Sequence, residues 1–284
     1  MKPNDRFIGL GKEFWANIRS TTQNIGYSER GSTEVKVPTQ DEIIKSLQKL
    51  KLTSVHIANE DHELTSLGGL ILDYYQYRAD ILNNYVESHL MDVTQARELF
   101  FDIKQRYNPT CPIPMNKQSG EMKAPAYFTG IINMIIEANL NGLNVDFNPR
   151  VLTTITSNNE PVRTLSRWMD GAFPSTINPL AIWEIKEYYY ATTFGSRVAD
   201  AVYETQLDGM ELEELRDHTN KNVYHYLMVD SHYTWWVKGR PYLCRIIDML
   251  HMGYVDEVLF GFEVTEQLPD IVNNWVKLYN VRDS

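Results

Sequence analysis

RTLSRWMDGAFPSTINPLAIWEIKEYYY, residues 163–190, is the stretch from which the rest of the chain is read. An acid, Asp170, is followed after a turn-rich gap by Glu184-Ile185-Lys186, set in a strongly β-prone run. Side chains alternate faces along a strand, so Glu184 and Lys186 are expected on one side and Glu187 on the other. Pairing of the two segments as a hairpin would bring Asp170 beside them. Two carboxylates suit a hard divalent cation that takes oxygen ligands. An amine next to them can orient, or help deprotonate, a water that attacks phosphorus. A plainer reading is open as well: Asp-Gly is a common turn pair, and lysine on an edge strand discourages edge pairing. Against it, Ala181, Ile182, Trp183 and Ile185 mark a largely buried strand, where an acid and an amine need partners.

The D-x13-E-x-K pattern of Asp170, Glu184 and Lys186 across a predicted hairpin resembles the PD-(D/E)XK nuclease superfamily, over roughly residues 124–262. Met169 stands where that family often has proline. The resemblance implies an α/β fold of the restriction-endonuclease-like kind, a mixed central sheet flanked by helices. It implies Mg²⁺, with Mn²⁺ as a substitute, held by Asp170 and Glu184, and Lys186 positioning the attacking water. The family's helix-borne acid would fall on Glu137, which fits a surface salt bridge equally well. The activity implied is hydrolysis of DNA phosphodiesters, in a type II restriction or phage-defence setting. Cutting both strands of a duplex takes two sites, which implies a homodimer.

Composition sets the outer bounds. The chain has 284 residues, 43% hydrophobic and 12% aromatic, enough for one large domain or two small ones. Its net charge of −10 argues against non-specific coating of nucleic acid and leaves room for a partner subunit that supplies the grip. No apolar run approaches bilayer length, the N-terminal MKPNDRFIGLGKEF lacks a secretory core, and Cys111 and Cys244 form no framework. A cytoplasmic protein is expected. The G-x-x-x-x-G-K-[ST], G-x-G-x-x-G and G-x-S-x-G patterns are absent, which speaks against an autonomous ATPase, a dinucleotide enzyme or a serine hydrolase. The histidines are scattered, and His56, Asp61, His62 and Glu63 match no zinc spacing.

Along the chain, residues 1–107 read as a helical N-terminal region for dimerisation or target recognition, and 124–284 as the catalytic core. Thr39 and Glu42 form a capping-box pattern, a long helix runs from about Leu64 to Leu90, and Asp92 or Thr94 caps the next. Three prolines within 108–123 mark a linker, whose Lys117 and Lys123 are alternative DNA contacts. The core order is a helix from Tyr127 to Gly142, strands at Val151–Thr156, Pro161–Trp168 and Leu180–Tyr190, and a helix from Ser196. A strand at Tyr224–Trp236, a helix at Leu243–Met252 and a strand at Tyr254–Phe262 follow. Arg163, Arg167, Arg197, Lys238 and Arg240 are the candidate phosphate contacts. Tyr188, Tyr189, Tyr190, Trp235 and Trp236 read as core aromatics with a lesser claim to base stacking. Two alternatives stand beside the DNA endonuclease: a nuclease-fold binding subunit of a larger defence complex, and an RNase on the same metal site.

Overall fold

Side-chain caps at Thr39, Thr65 and Asp92 open three helices of the N-terminal layer. The computed structural model of the protein describes residues 1–29, 31–116, 124–190 and 195–282. Helix α1 spans Lys12–Ile25, and α2, Gln40–Lys49, opens on the reciprocal Thr39–Glu42 capping box. Thr65 caps α3, Ser66–Ile81, which runs through a π-turn at Leu82–Val86 into a short α4, Glu87–His89. Asp92 caps α5, Val93–Tyr107, accepting from Thr94 and Gln95 amides. Lys117 and Lys123 lie outside the described residues.

The remainder is a mixed α/β layer. Helix α6, Tyr127–Asn139, precedes β1, Asp146–Phe147, then a separate ribbon of β2, Thr154–Ser157, and β3, Glu160–Thr164. Strands β4, Gly171–Phe173, and β5, Ala181–Glu187, follow, then α7, Ser196–Thr219, and β6, Tyr224–Asp230. Helix α8, Arg240–His251, β7, Glu257–Phe260, and α9, Glu263–Arg282, complete the chain. The main sheet has the order β1-β4-β5-β6-β7. Its β1–β4 and β4–β5 pairs are antiparallel, and its β5–β6 and β6–β7 pairs are parallel.

Three expectations need correction. The strand predicted at 161–168 ends at Thr164 and pairs only with β2; the partner of β5 is the short β4 instead. The Asp170-Gly171 pair does not make a turn but enters β4. Glycine is needed there because a Cβ on Gly171 would lie 1.9 Å from the indole of Trp183, its cross-strand partner. The strand beginning at Tyr224 stops at Asp230, and His232–Lys238 winds into a π-helix that buries Trp235 and Trp236. Helix α9 lies outside the elements read from the sequence; its Trp275 stacks on Trp183, ring centres 5.6 Å apart.

Two apolar layers sandwich the sheet. One joins Phe128, Ile131, Ile132 and Ile135 of α6 and Trp275 of α9 to Trp183, Tyr226 and Met228. The other joins Leu243, Ile246, Ile247 and Leu250 of α8 to Leu227, Val229 and Val258. The N-terminal layer is tied to α8 by a buried ion pair. Arg78 bonds Asp248 at 2.9 and 3.1 Å, Tyr74 donates to the same carboxylate, and the rings of Tyr27, Tyr74 and Tyr75 surround the guanidinium. Among the described residues no helix is long and apolar enough to cross a membrane.

Removing one partner of a buried pair leaves the other charge uncompensated. Arg78→Ala is expected to lower unfolding stability by about 3–5 kcal/mol in urea titrations. The exposed Arg106–Asp102 pair, at 2.7 Å, gives the contrast: Arg106→Ala should change stability by less than about 0.5 kcal/mol.

Candidate active site

The β4–β5 register places the acids. Gly171 pairs with Trp183, so one step further along the antiparallel ladder Asp170 stands across from Glu184 on the same face. The Asp170 amide donates to the Trp183 carbonyl at 3.1 Å, and Asp170 Oδ2 accepts from the Ile185 amide at 2.7 Å. Lys186 follows Glu184 on this face and donates to Glu184 Oε2 at 2.8 Å. Asp170, Glu184 and Lys186 are therefore brought together, and Glu184 is only 1% exposed.

Helix α7 supplies the facing wall. Glu204, Asp208 and Glu211 recur at helical spacing, and all three grip the segment that leads into Asp170. Glu211 accepts from Arg163, at 3.1 Å, and from the amide and hydroxyl of Ser166. Arg167 reaches into the cluster, donating to Asp208 at 2.7 Å, Glu184 at 3.0 Å and Glu204 at 3.2 Å. Lys186 also meets Glu204, at 3.0 Å. Asp208 is fully buried, while the Glu204 side chain is 42% exposed and forms the lip toward solvent.

The electrostatics do not balance within this group. Four carboxyls, Asp170, Glu184, Glu204 and Asp208, face two cations, Arg167 and Lys186. Two negative charges remain if all are ionised. Burial, reinforced by the charge of Glu184, lifts Asp170 to about 7. Burial likewise lifts Asp208 to about 7, against the lowering pull of Arg167. Glu184 resists burial because Lys186 and Arg167 hold it below the usual carboxylate range. Lys186 is raised despite burial, through Glu184 and Asp170, so it stays an ammonium and acts as a donor rather than as a base. Glu184 Oε1 and Asp208 Oδ1 are buried with no hydrogen-bond partner, as is Nε2 of His225 on the same face of the sheet. Burial lowers His225 to about 4, so its imidazole is neutral.

The other predicted residues fall elsewhere. Glu137 bonds the amide and hydroxyl of Thr110, far along α6 from this cluster, and does not join Asp170. Donation by Thr110 outweighs burial and lowers its pKa. Glu187 points to the opposite face as expected, accepting from the amide and hydroxyl of Thr129 in the first turn of α6. Arg163 is held by Glu211 and Glu214, tying β3 to α7. Arg197 is exposed at the start of α7, Lys238 lies over Tyr233, and Arg240 lies over Trp236. Among the described residues these three have no carboxylate partner. Glu204 and Asp208 join the site without a motif that announces them. The available signal was an acid at i, i+4 and i+7 on a helix face that otherwise carries Leu212 and Leu215 into the core.

Asp170 and Glu184 are an oxygen-donor pair suited to a hard divalent cation, and the unsatisfied oxygen of Glu184 fits such an ion. As the side chains stand, no three His, Cys, Asp or Glu residues among those described converge as a metal cluster. Arg167 sits between Glu184 and Asp208.

The chain belongs to a family described as a domain of unknown function (DUF7687), whose model matches residues 91–275. Residues 1–85 match a second domain of unknown function, DUF7690. No curated protein and no solved structure matches the chain.

A carboxyl raised in the folded state holds a proton that the unfolded chain has released. The stability it gives is complete below about 3.8 and is lost as pH rises through about 7. With chelator present, urea midpoints should fall between pH 4 and about 7, and Asp170→Asn should flatten that fall. A midpoint independent of pH in the wild type would contradict the raised carboxyls.

Proposed function

We propose that this chain is a metal-dependent phosphodiesterase acting on DNA, with Asp170, Glu184 and Lys186 as its reacting-centre residues. The observation that carries the reading is the grouping of those three on one sheet face, in a cluster where carboxyls outnumber cations and the buried Oε1 of Glu184 has no partner. The element order supports it. Helix α6, strands β1, β4 and β5, helix α7 and strand β6 follow the restriction-endonuclease-like sequence, with the β2–β3 ribbon as an insertion. The resemblance is one of order and site.

Asp170 and Glu184 would hold Mg²⁺ or Mn²⁺. Such an ion supplies Lewis acidity toward a phosphoryl oxygen and a bound water of lowered pKa. Lys186, fixed as an ammonium, orients the attacking water and offsets charge developing on the phosphorus oxygens. Arg197, Lys238 and Arg240 give the phosphate backbone cationic contacts on a chain that is otherwise acidic. Cleavage of a duplex would pair two copies of the chain, in a restriction or phage-defence role. An RNA substrate would use the same residues.

One observation favours a second reading, a nuclease-fold binding subunit without catalysis. The direct Lys186–Glu184 bond and the triple engagement of Arg167 already give Glu184 two cationic partners.

Plasmid DNA incubated with Mg²⁺ or Mn²⁺ separates the two. Discrete fragments lost on chelation are expected from a site-specific enzyme, and a smear from an indiscriminate one. Glu184→Ala and Lys186→Ala should each lower the rate by about 100-fold or more, with folding checked by circular dichroism. Intact plasmid with folded wild-type protein would transfer the case to the binding subunit.

A further inference from the structure

The acid cluster contains more than the proposed nuclease reading uses. Asp208 comes from α7, is fully buried, and leaves Oδ1 without a partner; Glu184 Oε1 is in the same condition. The other oxygen of each carboxylate meets the same guanidinium, that of Arg167, at 2.7 and 3.0 Å. The two unpartnered oxygens therefore belong to carboxylates that converge on one cation. A buried carboxylate oxygen without a partner is disfavoured, and a divalent ion drawn between these groups would satisfy both. The obstacle is Arg167 itself, which stands between the acids and carries a like charge.

Resting on the reading that Asp170 and Glu184 hold a divalent cation, we propose that Arg167 is the resident cation of this site and Asp208 its third carboxylate. The guanidinium withdraws from Glu184 and Asp208 when a divalent ion takes their oxygens. Several features make the exchange feasible. Arg167 lies in the irregular segment between β3 and β4 rather than inside a strand. Its third contact is Glu204, whose half-exposed side chain offers a station at the lip of the cluster once the inner acids are released. The Ser166–Glu211 bonds hold the backbone just before Arg167, so the side chain can swing without unpinning the chain. Charge favours the outcome too: one divalent ion in place of the guanidinium brings the inner acids closer to neutrality.

Mn²⁺ binding to the full chain, measured by loss of the free-ion EPR signal without DNA, tests this directly. Arg167→Ala should bind Mn²⁺ at least about tenfold more tightly than wild type, the equivalent of about 1.4 kcal/mol of like-charge repulsion removed. Arg167→Lys, which keeps the charge but not the planar fork whose two arms engage the two acids, should lie between them. Adding Asp208→Asn to Arg167→Ala should weaken binding by about 10–100-fold. Equal affinity of folded Arg167→Ala and wild type, or no loss with Asp208→Asn, would overturn the proposal. A measurement on the wild type does not depend on variants folding. The Arg167 Nε–Hε NMR resonance should shift on titration with Mg²⁺, and an unmoved resonance at saturating Mg²⁺ would also overturn it. Mn²⁺ binding with this dependence but intact plasmid would uphold the exchange and remove the nuclease reading. Cleavage together with Mn²⁺ affinity indifferent to Arg167 would do the reverse.

Discussion

Two carboxylates set directly across an antiparallel ladder repel one another, and the surroundings of Asp170 and Glu184 are arranged about that repulsion. Opposed side chains lie about 4.5–5.5 Å apart at Cβ, too close for two buried anions in a low-dielectric interior. The chain meets the problem in three ways. Lys186, two residues along the same face, neutralises part of the charge. Arg167 approaches from the preceding segment and divides itself among three acids. The Ile185 amide fixes one oxygen of Asp170. The geometry is held from beneath by Gly171, whose missing Cβ lets the Trp183 indole lie flat across the ladder, and by Trp275 stacked behind it. Removing the glycine would separate the strands at the step that aligns the acids.

The two faces of β5 do different work through the same alternation. On the face opposite the acids, Glu187 takes the amide and hydroxyl of Thr129 at the start of α6, where the helix's free N–H groups and dipole favour a carboxylate. Beside it, Asp230 at the end of β6 accepts from the amides of Met91 and Ser231 and from the Tyr189 hydroxyl. The partners of these acids are neutral donors that bind the sheet to α6 and to the segment leading into α5. The acids facing α7 have cationic partners and unsatisfied oxygens. Burial pushes up carboxyls on both faces, so perturbed pKa values alone do not distinguish a binding cluster from a structural one. Partner chemistry does.

Period-two alternation made the Glu184–Lys186 face and the opposite facing of Glu187 legible, because a side-chain direction in a strand depends only on parity. Capping chemistry made Thr39 and Asp92 legible for the same local reason. What failed was non-local. The ribbon at 154–164 and the three-residue β4 differ in which strand they pair with, a choice made by the fit of Gly171 under Trp183 rather than by propensity. Glu137 matches the family's acid only by its place on a helix, and Thr110 claims it at the far end of α6. Glu204 and Asp208 carry no motif, and acids on a long helix ordinarily mean a solvated face. Here the i, i+4, i+7 spacing turns them onto the sheet, beside Leu212 and Leu215.

The remaining question is whether such a cluster could be purely structural. Buried ion pairs stabilise little in net terms, since the desolvation of each charge offsets most of the attraction, and apolar packing of similar volume often does as well. A structural network therefore gains most when its charges match and its oxygens are all bonded. The Arg78–Asp248 pair has that form: one cation, one acid, a tyrosine donor and three aromatic rings. The cluster around Glu184 departs from it on both counts, with acids outnumbering cations and two buried oxygens unmatched. An excess of two negative charges is what two protons or one divalent cation would complete. Burial lifts Asp170 and Asp208 to about 7, so these two carboxyls are the ones placed to carry the protons when no cation is bound.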